Sequence, residues 1–197
     1  MNKVNVTAED RPYHHGDLHR AIVNAALKVL SETQSTEFSL RELARRAGVT
    51  HNAPYKHFAY KRELLAAVSA VGFDLLAKRL TDTMQGQTGP RARLFAIARD
   101  YVRHGVENPA LYRLMFGGYL TGPDDHRPAI EIAAAEKTKA LLADAIAQGG
   151  LGRPLPKTPR NERKIAAAIL IFWSLMHGLT LCCWSIGWSA QAERPMN

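Results

Sequence analysis

Apolar side chains recur at steps of three and four along most of the chain, beginning with Leu18, Ile22, Ala25, Ala26, Val29 and Leu30. That spacing lines one face of a helix, and Asp17 at its start lies where a carboxylate meets the positive end of the helix dipole. No comparable run shows the strict alternation of a half-buried strand. Breaks at Gly86-Gln87-Thr88-Gly89-Pro90, Gly122-Pro123-Asp124-Asp125 and Gly149-Gly150-Leu151-Gly152-Arg153-Pro154 separate the later pieces. Those pieces run from Arg91 to Val106, Pro109 to Phe116, Pro128 to Gln148 and Asn161 onward. The pattern predicts an all-α protein without internal repeats, with a flexible Gly- and Pro-rich loop from Gly149 to Pro159.

Residues 38 to 65 carry the most specific local signals. Ser39 and Glu42 have the spacing of a capping box, and Phe38 and Leu43 flank it as a hydrophobic staple. The helix this starts is expected to run to Ala47 and to end at Gly48, which accepts a positive φ where the chain must turn sharply. Val49 is expected to fill the gap between this helix and the next. Thr50 is a natural N-cap for the second helix, with Pro54 in or just past its first turn and Tyr55 and Phe58 anchoring it to the core. His51, Asn52, Lys56 and His57 are then left at or near the free surface. A short helix presented in this way fits the major groove of B-DNA, its N-terminal residues meeting the base edges.

Charge strengthens that reading through its position. The 197-residue chain has a formal net charge of +8, which alone is compatible with nucleic acid, an acidic membrane surface or mere solubility. Within the span from Arg41 to Arg62, however, Arg41, Arg45, Arg46, Lys56, Lys61 and Arg62 are opposed only by Glu42. A basic excess on the elements that would touch the backbone neutralises phosphates.

The stretch from about Tyr13 to Leu65 resembles the DNA-binding domain of the tetracycline-repressor (TetR) family, most clearly in Ala44 to Gly48, Val49-Thr50, and Tyr55-Lys56-His57-Phe58 followed by Lys61. Tyr13-His14-His15-Gly16-Asp17-Leu18, Ala53-Pro54-Tyr55, and Trp173 with His177-Gly178-Leu179 are similar to a subgroup with a Trp-His-Gly signature in its C-terminal domain. The resemblance implies a flexible arm over residues 1–12, a three-helix DNA-binding domain over 13–62 and a helical ligand-binding and dimerisation domain over 63–197. It makes His51 and Asn52 the base readers, with Thr50, Tyr55, His57 and Lys61 as phosphate contacts. One departure is the pair Ala59-Tyr60, which stands where the family has a small polar cap, so the helix carrying Lys61 is expected to start without one. The family's last two helices form a four-helix bundle across the dimer axis, and here the chain ends soon after Trp188.

In the C-terminal part, Tyr101, His104, Tyr112, Met115, Phe116, Phe172, Trp173 and His177 are candidate walls of a mostly apolar pocket for a small-molecule effector. The same spacing would also serve plain core packing. From Ile165 to Ala190 there is no Asp, Glu, Lys or Arg. That stretch is long enough to span a bilayer, but Ser174, His177, Thr180 and Ser185 favour a helix buried by its own domain and a twin subunit. Adjacent Cys182 and Cys183 cannot readily close a loop-forming disulfide, and the polar first ten residues lack a secretory signal, which points to the cytoplasm. His14, His15 and His19 are expected to face solvent or phosphate rather than a metal. No nucleophile with its base, phosphate-cradling loop or paired carboxylates argues for catalysis.

Taken together, the residues and the resemblance predict a non-enzymatic repressor without metal or cofactor. It would bind a pseudo-palindromic double-stranded operator as a homodimer and be released by a small molecule. The alternatives are a membrane-tethered helix-turn-helix regulator and, further off, a helical enzyme with an unrecognised site.

Overall fold

The computed structural model describes residues 15–118, 120 and 127–186, with side chains from Leu18 onward. The expected N-terminal arm, Tyr13, His14 and the break at Gly122 to Asp125 lie outside the described residues. Every regular element among them is helical: α1 (His15–Thr33), α2 (Leu40–Arg46), a 3₁₀ turn (Ala53–Lys56), α3 (Lys61–Gln85), α4 (Pro90–Glu107), α5 (Pro109–Phe116), α6 (Ala129–Ala145), a π turn (Ile146–Gly150) and α7 (Pro159–Ser185).

The N-terminal unit closes around the apolar face of α1. Leu18, Ile22, Ala26, Val29 and Leu30 are buried there with Phe38, Leu40, Leu43, Phe58 and Leu64. Ser39 caps α2 as expected, its Oγ accepting from the Glu42 amide at 3.1 Å. The reciprocal half of the capping box does not form, because the Glu42 carboxylate accepts from Arg46 Nε at 3.3 Å instead. Arg46 also reaches Glu32 on α1 at 2.6 Å, so this cation ties two helices together. Gly48 takes φ +69°, a left-handed conformation that L side chains rarely adopt.

The second helix of the motif differs from expectation. It is a single 3₁₀ turn that begins at Ala53 with Asn52 in the cap position and no side-chain cap, rather than an α-helix capped by Thr50. Pro54 supplies the reason. It has no amide to donate back to the Thr50 carbonyl, so the Ala53 amide takes that carbonyl at 2.9 Å and the chain tightens into i→i+3 bonds. Ala53, Pro54 and Phe58 are the buried anchors, whereas Tyr55 is 50% exposed and does not enter the core.

The long helix α3 continues without interruption from this unit into the C-terminal bundle. There it packs against α6, α4 and α5, while α7 lies across α4. The α4–α7 crossing is close because Gly105 has no side chain: a Cβ there would collide with Thr180 Cγ2 and lie 2.9 Å from Tyr112 Cδ2. The uncharged stretch forms α7, whose Met176 and Thr180 are buried and whose Ile165, Ala168, Ile169, Phe172 and Trp184 pack against the common core. It is therefore a helix of this bundle, despite being long and apolar enough to cross a bilayer.

Candidate DNA interface and ligand cavity

Burial of one side of α2 and of the 3₁₀ turn decides what the N-terminal unit shows to its surroundings. Leu40, Leu43 and Ala44 face inward, leaving Arg41 and Arg45 exposed on the outer side of α2. In the following segment Thr50, His51, Asn52, Tyr55 and Lys56 are all exposed, and His57 is half-buried. Arg45 belongs to this cationic surface, although sequence reasoning counted it only in the local charge excess. His19 does not face solvent freely: its ring packs 4.8 Å from Phe58 and 6.0 Å from His57. Burial first, then the neighbouring His57, lowers its pKa.

Lys61 stands at the first turn of α3, with its Nζ 5.2 Å from the centre of the Phe38 ring. Tyr60 gives α3 no side-chain cap, as the Ala59-Tyr60 pair implies. Glu63 compensates by accepting the Ala59 amide at 2.7 Å, which satisfies a backbone donor at the helix start.

A cavity of about 600 Å³ opens between α3, α4, α6 and α7. Of the eight pocket candidates, Tyr101, Phe116 and Trp173 line it. His104, Tyr112, Met115, Phe172 and His177 do not, because helix packing turns them behind or beside the wall. Met115 fills the α3–α5 contact at Gly72, where a Cβ would lie 2.7 Å from its Sδ. Tyr112 and His177 form a layer behind the wall: the Tyr112 hydroxyl is 3.0 Å from that of Tyr101 and 2.6 Å from His177 Nδ1. The His177 ring stacks on Trp173 at 5.1 Å, and burial lowers its pKa. Burial raises the Tyr112 pKa to about 12, so its hydroxyl keeps its proton at neutral pH.

His104 is buried beside the α3–α4 ion pair of Arg79 and Glu107, joined at 2.5 Å. Its Nε2 finds no hydrogen-bond partner among the described residues. Burial, and then Arg79, push its pKa down to about 4, with Glu107 acting in the opposite direction. It is a neutral core residue at physiological pH. The remaining walls, including Phe73, Ile97, Leu142, Ile165 and Ile169, escaped sequence reasoning because their spacing is that of ordinary core positions. Among the described residues no group of three His, Cys, Asp or Glu side chains is placed to hold a metal ion.

Two family models match along the chain. Residues 22–68 match the bacterial regulatory proteins of the tetR family, and residues 94–183 match the tetracyclin repressor-like C-terminal domain. The chain belongs to the TetR family. It is thus a DNA-binding transcriptional regulator with a helix-turn-helix, and α7 lies almost wholly within the matched C-terminal domain.

Its relatives share the architecture more than the sequence. A nucleoid occlusion factor, SlmA, from Marinobacter nauticus is 24% identical over 139 residues, covering 70% of this chain and 71% of that protein. A protein of unknown function from Rhodococcus sp. RHA1 superposes with a TM-score of 0.72 at 27% identity, covering 91% of this chain and 88% of its own. AibR, solved in complex with isovaleryl coenzyme A and operator DNA, superposes with a TM-score of 0.55 at 20% identity, covering 81% of this chain and 83% of its own.

Proposed function

We propose that this TetR family regulator is a ligand-responsive repressor: a homodimer that occupies a pseudo-palindromic operator in the cytoplasm and leaves it when a small molecule enters the C-terminal cavity. The observation that carries the reading is the continuity of α3. Lys61, a proposed phosphate contact, stands in its first turn, and Phe73 and Leu80 further along the same helix line the cavity. A ligand that favours a different setting of this rigid element changes the presentation of the recognition turn, and release follows from its differential affinity for the two settings. The complex of AibR with both an acyl thioester and operator DNA provides a parallel on the same fold.

In this reading residues 13–62 bind DNA and residues 63–197 bind the effector and the second subunit, with residues 1–12 as an arm. His51 and Asn52 read base edges from the start of the 3₁₀ turn. Arg41, Thr50, Tyr55, Lys56, His57 and Lys61 engage the phosphates. Dimerisation uses the outer face of α7, where Ile171, Leu175 and Leu179 are between 48% and 71% exposed. Such an exposed apolar face on a long helix matches a partner helix of the same kind, and pairing two subunits sets their recognition elements about one turn of B-DNA apart.

Two variants test the DNA surface. Lys61→Ala is expected to weaken binding to every sequence and to reduce the salt slope by about one. Asn52→Ala is expected to cost about 1–3 kcal/mol on the operator alone, relaxing base preference. Selection of bound genomic fragments supplies the operator, and titrations at several salt concentrations measure both effects. Absence of salt-sensitive binding to any DNA by the wild-type protein would overturn the reading.

A further inference from the structure

The cavity restricts the chemistry of what enters it, and this inference rests on the effector reading above. Its interior is walled by rings and aliphatic side chains, and its polar atoms are already engaged. The Tyr101 hydroxyl lies 3.0 Å from the Tyr112 hydroxyl, which in turn is 2.6 Å from His177 Nδ1. Thr138 Oγ1 donates to the Phe73 carbonyl at 3.3 Å. A ligand that needs several hydrogen bonds would have to break these pairs to obtain them.

Charge at the rim is also committed. Arg127 donates to the buried Glu131 carboxylate at 2.6 Å, and Glu131 takes a further bond from Ser69 at 3.1 Å. Lys139 pairs with Glu136 at 3.2 Å, and Glu162 adds another carboxylate to the wall. Two cations and two carboxylates therefore line the opening, with the buried Glu131 behind Arg127 as a third carboxylate, leaving no surplus positive charge among the described residues. An anionic ligand would lose its hydration there without gaining a counter-ion, and removing Arg127 from Glu131 would strand a buried charge.

We infer that the effector is an uncharged, mainly apolar molecule of drug-like size, held among the rings of Phe73, Phe116 and Trp173, and not a fatty carboxylate or a phosphate-bearing thioester. A volume of about 600 Å³ suits such a molecule.

N-phenylnaphthylamine is a neutral probe that brightens in apolar surroundings and accepts excitation from tryptophan. Titrated into the full-length protein, it is expected to bind and to be displaced by decanol at concentrations at least about tenfold below those of decanoate at neutral pH. Ala166→Trp and Ala135→Trp, each filling the cavity from a different helix, are expected to abolish binding in variants that retain the wild-type circular dichroism. If decanoate competes as well as decanol or better, the neutral class is wrong while the cavity still stands as a binding site. If the probe fails to bind the wild-type protein, or still binds both folded tryptophan variants, the cavity is not the effector site and the inference falls with it.

Discussion

Ile171→Ala probes the proposed subunit interface at the most exposed large aliphatic side chain within α7. Ile171 sits mid-way along α7 with 71% of its surface exposed in the single subunit, although it is a large aliphatic side chain. Burying such a side chain completely is worth about 1.5–3 kcal/mol, so covering the remaining 71% with a second α7 recovers roughly 1–2 kcal/mol. A two-fold axis uses the residue twice, which makes the loss about 2–4 kcal/mol per dimer. At about 1.4 kcal/mol per decade, self-association should weaken by about thirtyfold to several hundredfold. The fold of the subunit should be nearly unaffected, because little of the side chain is buried within it. Sedimentation equilibrium over a concentration series measures the dimer constant, and circular dichroism checks the fold. Operator binding should become strongly dependent on protein concentration. A dimer constant within about threefold of the wild type, in a folded variant, would refute the assignment of this face to the subunit contact.

Gly105→Ala should destabilise the folded chain by about 1–2 kcal/mol in chemical denaturation: relief of the glycine penalty in α4 gives back about 1 kcal/mol, but the new methyl collides with Thr180 and Tyr112 at the α4–α7 crossing. A stabilised variant would mean that the crossing relaxes freely. Stability should fall with pH because of His104, whose folded pKa of about 4 lies below its ordinary 6.5. The unfolded chain binds the proton first, so the contribution is complete above 6.5 and is lost progressively as pH falls towards 4, reaching about 3 kcal/mol. Denaturation of wild type and His104→Gln across that range checks the sign: the variant should lose much of the slope, and identical slopes would exclude His104 as the source.

The helix-turn-helix corner was legible in the sequence because its signals are local. A cap at Ser39, a left-handed turn at Gly48 and a run of cations are fixed by residues a few positions apart, and the structure keeps all three. The same locality limited the reading. Thr50 looks like a cap and Tyr55 like an anchor until Pro54 removes the amide that an α-turn would need. The segment then tightens, burying Ala53 and Pro54 and turning Tyr55 outward.

Beyond that motif, the chain alone determined an all-helical protein, the breaks between helices and the presence of a long uncharged segment near the C-terminus. It could not determine which aromatic residues face open space. Tyr101 and Tyr112 differ little in local pattern, yet one lines the cavity and the other lies behind it, hydrogen-bonded to His177. That Arg127 and Lys139 border the cavity was equally hidden: their carboxylate partners Glu131 and Glu136 lie within four residues, but the cavity exists only once α6 is set against α3 and α7. Helical periodicity fixes which side of a helix is apolar, because that depends on neighbours three and four residues away. Whether the apolar side meets a core, a void or a second subunit depends on the distance between helix axes, which the whole bundle sets by packing.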